Sequence, residues 1–433
     1  MTKSPYAQRG QARTKLPHRT QVEMQMLSLD QWLDADHRVR IVWQYVESLD
    51  LSELYQSIRA TEGTVGRDAI DPRILFALWL FATLEGKTSA RALAELTRRD
   101  IPYMWICGGV SVNYHRLRDF RVEHGDLLER ILIDSISVLI HNKLITLETV
   151  AQDGMRVRAS AGSGSFRREN SLEEARQQAQ AHMDQLNQSP TDPSANERRS
   201  AAAQQRAAQE KLDRIKQAQA EMEDMQEKYR QRSGKKRSEP RASTTDPEAR
   251  RTKMADGGTR PALNVQFASD GDAQMVIAVD VTSQGSDSGL MRPMYEKVRK
   301  DYGQNPDHYL VDGGFGKKED ITYVESEGSS VYAPLYAEEQ QLADGKDPYA
   351  ERPSESAEMT AHRQRMGTPE AKELYRRRSA IAEFPNAECR NRGLTQFRVR
   401  GKIKAKAQTL WHVLAFNFNR MRNLDYLEVV MAS

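Results

Sequence analysis

The chain has almost no cysteine: Cys107 and Cys389 are two among 433 residues. Two thiols are too few for a disulfide scaffold, and their separation has no metal-ligand spacing, so a reducing cytoplasm fits. The basic, polar N-terminal stretch carries no apolar segment of signal-peptide type. Long hydrophobic runs are missing too. The longest, around residues 74–84 and 131–140, fall short of the ~20 residues a membrane span requires. Net charge is only +3 although 29% of residues are charged, so the placement of charge says more than its total. One local absence is informative: from Arg390 to Arg422 there are nine Lys or Arg and no Asp or Glu, which makes a basic surface. With 38% hydrophobic residues the chain can bury a sizeable core, divided over two or three domains.

What is present falls into segments. Residues 1–20 are basic and Pro-containing and read as a poorly ordered arm. From about 21 to 145 the apolar pattern is helical. Asp71-Pro72 supplies an N-cap and a first-turn proline for ILFALWLFATLEG, which Gly86 stops. Trp79 and Trp105 read as core anchors, and Cys107 as packed. His115 and His124 read as surface or capping groups. The segment 146–160 changes to β-branched, period-2 character. A polar interruption follows over 166–260, where Ser171-Leu-Glu-Glu and Ser194-Ala-Asn-Glu each resemble a capping box opening a helix. Leu212, Ile215, Met222 and Met225 give the second helix a narrow seam for a helical hairpin, and 232–260 read as a basic loop. Beyond 261 come a hairpin across SDGDAQ, a helix at 290–301, the strand HYLV, a short helix, the strand SSVYAPLY and a helix over 356–382. The expected fold is therefore α/β: a mixed sheet with flanking helices, interrupted by a helical insertion and preceded by an all-α domain.

Two aspartates stand where strands are expected to end, Asp153 in AQDG and Asp312 in LVDGG. Taken alone, each reads as a turn residue, since Asp-Gly is a common turn pair. A third acid sits in YRRRSAIAEFPNAECR. At ~100° per residue, Tyr375, Arg378 and Glu383 fall within an arc of about 140° on one helix. Pro385 is expected to end or kink that helix, leaving Glu383 near a terminus. A solvated face of local ion pairs is an equal reading of this stretch by itself. Three such carboxylates suit Mg²⁺, a hard cation that prefers oxygen ligands. Two ions ~4 Å apart activate the attacking oxygen and stabilise the leaving one in an in-line displacement at phosphorus. Basic groups nearby, Arg390 and the run RVRGKIKAK with Arg398, Arg400 and Lys402, suit a nucleic-acid backbone.

The ordered set of motifs resembles a known family, the DDE transposases of bacterial insertion sequences, with a ribonuclease-H-like catalytic domain. It looks closest to the branch with an N-terminal helical domain and a Tyr–Arg–Glu–Lys/Arg signature. The likeness runs from about 25 to 425 through SARALAELTRRDIPYMWICGG, YHRLRDFRVEH, QDGMRVRASAG, DPEARRTKMADGG, NVQFASD, VDGGF and YRRRSAIAEFPNAECRNRG. It implies that Asp153, Asp312 and Glu383 are the acidic metal ligands and catalytic groups. Tyr375, Arg378 and Arg390 are then the signature residues that position DNA. Four residues separate Arg378 from Glu383, one more than the form commonest in that family, and Arg replaces Lys at 390, keeping charge but changing geometry. Glu373 and Glu388 are rivals for the third ligand, but Glu373 precedes the signature and Glu388 lies beyond Pro385.

The implied activity is Mg²⁺-dependent cleavage at transposon ends, with two ions and Mn²⁺ as a substitute, followed by direct strand transfer into target DNA. The implied partners are double-stranded DNA, as terminal inverted repeats and target, and further copies of the chain assembled on it. The implied location is a bacterial cytoplasm, at the nucleoid. The basic faces of 90–99 and 114–121 are candidates for phosphate contact by the N-terminal domain. Three other readings remain: an inactive transposase-derived DNA-binding protein, a nuclease without strand transfer, and a scaffold built on 171–231.

Overall fold

The computed structural model describes residues 15, 18–20, 22, 26–60, 68–188, 195–231 and 239–432. Most of the expected N-terminal arm, and Ser194 of the second expected capping box, lie outside the described residues. Among those described, eight helices come first: α1 (Leu29–Trp32), α2 (Arg38–Ser48), α3 (Ser52–Gln56), α4 (Pro72–Leu84), α5 (Ala90–Leu96), α6 (Ile101–Cys107), α7 (Tyr114–Glu123) and α8 (Gly125–His141). Helix α4 starts as its sequence requires: the Asp71 carboxylate accepts from the Arg73 N–H and Pro72 occupies the first turn. Gly86, at φ 69°, ends it in a conformation that suits a residue without Cβ. Because α4 is apolar on all sides, it is buried along nearly its whole length.

Strand β1 (Thr149–Arg158) leads into β2 (Phe166–Arg167), then the helical pair α9 (Glu169–Gln188) and α10 (Ala195–Gln231), and β3 (Ala242–Ser243), which pairs with β2. Strands β4 (Arg250–Lys253), β5 (Thr259–Asp270) and β6 (Val276–Thr282) follow, then α11 (Met291–Tyr302), β7 (His308–Leu310), α12 (Lys318–Ser326) and β8 (Ser330–Tyr332). The chain closes with α13 (Glu338–Ala343), α14 (Ala357–Met366), α15 (Pro369–Asn391), α16 (Lys402–Asn423) and α17 (Leu427–Met431). The larger sheet has six strands: β5 lies antiparallel to β1, with β4 and β6 along its other edge, while β7 and β8 run parallel to β1. An antiparallel meander beside two parallel strands reached through helical crossovers is the ribonuclease-H-like arrangement expected from the sequence.

Helix α16 joins the two regions. Phe76 of α4 meets Trp411 at 4.8 Å between ring centroids, and Tyr45 of α2 meets Phe418 at 5.3 Å. On its opposite side, Asn417 clasps the edge of β6, accepting from the Val276 N–H (3.0 Å) and donating to the Val276 carbonyl (2.7 Å). The nonpolar core is consequently continuous from Leu33 to Val430.

Several local expectations are corrected. Helix α9 begins at Glu169, ahead of Ser171, with the Leu172 N–H already bonded to the Arg168 carbonyl. Part of the supposed basic loop is ordered as β4, which pairs with β5 at residues 259–262. Pro385 does not end its helix: α15 continues to Asn391. Pro385 is buried with Ile381, Ala382, Asn386 and Cys389, so packing of that face outweighs the missing N–H. The hairpin seam is as expected: Leu212 and Ile215 cluster with Ala179, and Met222 and Met225 with Leu172.

Candidate active site

Strand β1 does not end at Asp153. It pairs with β5 through Arg158, and Asp153 sits opposite Phe267 in mid-strand. Gly154 is therefore not a turn glycine. A Cβ there would fall within contact distance of Gln266 Nε2 and Asp287 Oδ1, so this position needs hydrogen for close approach. On the other edge of β1, β7 pairs with residues 149–151 and the next contact is a bridge from Arg158 to Gln396. The carboxylate of Asp153 thus lies just past the C-terminal end of the parallel strand β7.

Asp312 follows that same strand and does form the expected turn. Its side chain accepts from the Gly314 N–H at 2.7 Å and caps the 3-10 turn Gly313–Phe315. Asp312 lies close enough to Asp153 to act on its ionisation. Burial pushes the Asp153 carboxyl up to about 6, and the negative charges of Asp312 and Asp287 push the same way. The Gly154 N–H and the Arg378 guanidinium oppose them.

Helix α15 crosses this end of the sheet. Its buried residue Asn386 donates from Nδ2 to Asp153 Oδ2 at 2.8 Å, and the Asn386 Oδ1 has no partner. Tyr375, Arg378 and Glu383 form the chain of contacts expected from one face. The Arg378 guanidinium lies 5.9 Å from the Tyr375 ring and donates from Nη2 to Glu383 Oε1 at 3.4 Å. Arg378 is 13% exposed, yet its Nη1 has no hydrogen-bond acceptor. Glu383 is 59% exposed. Seven residues on, Arg390 is exposed at nearly the same angular position of the helix.

The structure thus gathers Asp153, Asp312, Tyr375 and Arg378, with Glu383 joined to the group through Arg378. Among the described residues no three acidic, histidine or cysteine side chains converge tightly enough to hold a metal ion. The donor chemistry nonetheless fits a hard cation: all carboxylate and amide oxygens, one carboxyl burdened by like charge and one buried amide oxygen unpartnered.

Residues 27–122 match the family described as Transposase domain (DUF772), and residues 238–418 match the family described as Transposase DDE domain. The chain belongs to the insertion-sequence DDE transposases. The second match takes in Asp312, the whole of α15 and the antiparallel hairpin that pairs with β1, so the α/β sheet is the ribonuclease-H-like domain of the transposase. No curated protein matches the sequence. No described helix of the transposase is long and apolar enough to cross a membrane.

Sequence reasoning missed two polar residues beside this candidate site. Asp287 approaches β1 from the face opposite Asp153. It accepts from Asn264 Nδ2 (2.8 Å), Gln266 Nε2 (2.9 Å) and Arg156 Nη2 (2.7 Å). In SQGSDSG nothing marks it apart from an ordinary loop aspartate. Asn386 was hidden behind the proline expected to stop the helix. The basic residues fare unevenly. Arg398 and Arg400 are exposed, whereas Lys402 pairs with Glu248 at 3.3 Å and Lys406 with Glu129 at 2.8 Å, so acids from distant segments neutralise part of the acid-free tract. Arg121 does not belong to a DNA-facing surface. It is buried, donates to the Thr88 carbonyl at 2.9 Å and stacks 5.1 Å from the Trp79 ring. Cys389 is buried and its thiol is pushed up to about 12, which leaves it inert. His124 is half-buried at the junction of α7 and α8, while His115 is exposed.

Proposed function

We propose that Asp153, Asp312 and Glu383 hold divalent cations, Mg²⁺ or Mn²⁺, and that the chain cleaves DNA at transposon ends and transfers the freed strand to target DNA. The observation that carries this reading is that Asp153 and Asp312 lie within electrostatic reach of each other and of Tyr375 and Arg378 on α15, with Arg378 in turn bonded to Glu383. When bound, the cations activate the attacking oxygen and stabilise the leaving one. Water attacks the phosphorus at the transposon end, the bond to the 3′-oxygen breaks, and that oxygen takes a proton to leave a 3′-hydroxyl. In the second step this hydroxyl attacks a target phosphodiester, exchanging one ester bond for another with no covalent protein intermediate.

The chain's own groups have distinct tasks. Asn386 fixes the Asp153 carboxylate through its amide N–H. Gly154 supplies a second N–H and keeps the strand thin. Arg378 has an unpartnered Nη1 and a weak, exposed partner in Glu383, so it is suited to a phosphate oxygen once Glu383 turns to a cation. Tyr375 and Arg390 flank it as further backbone contacts, with Arg398 and Arg400 beyond. The chain is read as residues 21–145 for helical DNA binding, 146–165 with 261–433 for catalysis, and 166–260 as the insertion. Inverted repeats and target DNA are its partners, and assembly of several copies on DNA at the bacterial nucleoid completes the reading.

The test is a joining assay with the DNA that flanks the coding sequence. Ends carrying a 3′-hydroxyl are expected to appear joined to target plasmid, and ends with a 3′-deoxy terminus are not. Cleavage without any joined product would reduce the protein to a nuclease.

A further inference from the structure

A groove of about 1120 Å³ opens between α10, edge strand β4, residues 239–241 and the loop 282–286. Its lining charges do not balance. All three lining acids are engaged: Glu239 pairs with Arg168 at 3.1 Å, Asp224 with Lys228 at 2.6 Å, and Glu221 with Arg250. Three cations are left over: Arg241, Arg251 and Lys253 line the groove, are exposed, and have no carboxylate partner among the described residues. Lys402, from the C-terminal basic tract, lines it as well.

Charges on an edge strand often serve to prevent strand-to-strand aggregation, and that would account for Arg251 and Lys253. It does not account for Arg241, which lies outside β4 yet lines the same groove. Arg251 and Lys253, two residues apart on β4, are separated by ~7 Å on one face and can meet one continuous polyanion. The groove reaches the sheet face opposite Asp153: Gly285 on its wall accepts from Arg156 Nη2 (3.2 Å), and the same nitrogen donates to Asp287 at 2.7 Å.

We propose that this groove is a second binding site for the DNA phosphodiester backbone, built jointly by the helical insertion and the sheet edge, which holds DNA outside the acidic centre. The site is sequence-independent, since cations on walls read phosphates and not base edges. The inference gives the insertion a task and rests on the transposase reading above.

The test uses the full-length protein and a fluorescent duplex, with affinity measured by anisotropy across a range of salt. Each lost phosphate contact lowers the slope of log affinity against log salt by about 0.9. The variant R241A/R251A/K253A is expected to lower it by about 2 to 3, with at least about a tenfold weaker affinity at low salt. The charge-preserving R241K/R251K/K253R is expected to keep the wild-type slope. An unchanged slope in the alanine variant overturns the proposal, and so does an equal loss in the charge-preserving one. Metal-dependent cleavage by the wild type is scored in parallel. If it is absent while the slope falls as expected, the transposase reading fails and the groove stands; if it is present while the slope holds, the groove alone fails.

Discussion

Replacing Asp153 by Asn should destroy activity and yet stabilise the metal-free protein. The Asp153 carboxyl is raised from the usual 3.8 to about 6, first by burial and then by Asp312 and Asp287. Its ionisation therefore works against the fold. At about 1.4 kcal/mol per tenfold change in proton affinity, the cost above pH 7 is about 3 kcal/mol. The sign follows from proton binding: the folded state holds this proton more tightly than the unfolded one, so the contribution is fully present below 3.8 and is lost as pH rises through about 6. In D153N the amide oxygen still accepts from Asn386 Nδ2, and no charge is buried. With an unfolding entropy of roughly 2.1 cal/mol/K per residue, 3 kcal/mol corresponds to about 3 °C in a chain of this size. Calorimetry in EDTA should show D153N melting about 3 °C above wild type at neutral pH, with the gap closing towards pH 4. Added Mg²⁺ should raise the wild-type midpoint more than that of D153N. A D153N midpoint below wild type in EDTA, or a gap that does not depend on pH, would refute the reasoning.

Two further outcomes are expected. N386L removes the 2.8 Å bond to Asp153 while keeping an apolar filling on the buried face of α15; cleavage should fall by at least about tenfold and more Mg²⁺ should be needed for half-maximal rate, read from initial rates against metal concentration, because a hydrogen bond to a charged group is worth about 1.5–3 kcal/mol. W411A empties the contact between α16 and the N-terminal helices, where Trp411 packs on Phe76 and donates from Nε1 to the Arg121 carbonyl; denaturant titration should show a loss of about 3–5 kcal/mol.

The sheet and its candidate acids were largely legible because periodicity changes sharply at residue 146 and the hairpin across SDGDAQ carries its own turn. The face shared by Tyr375, Arg378 and Glu383 was legible because helical geometry fixes it once the helix is known. What escaped depended on partners far along the chain. Whether β1 continues past Asp153 is decided by β5, more than a hundred residues later. Whether Pro385 breaks its helix is decided by what buries Ile381, Ala382 and Cys389. Arg121 sits in a basic motif, but its burial follows from Trp79 and Trp411, which no local pattern connects to it. Asp287 needed Arg156, Asn264 and Gln266 beside it before it stood apart from a loop aspartate.

The central claim is that Asp153, Asp312 and Glu383 act together in metal-dependent phosphoryl transfer. Its most direct test is the rate of cleavage of duplexes carrying the flanking DNA, in Mg²⁺ and in EDTA, for wild type, D153N, D312N and E383Q. The account predicts cleavage by wild type in Mg²⁺ alone, and a loss of at least about a hundredfold in each variant with DNA binding retained. A wild-type rate in any of the three variants, or undiminished cleavage in EDTA, would contradict it.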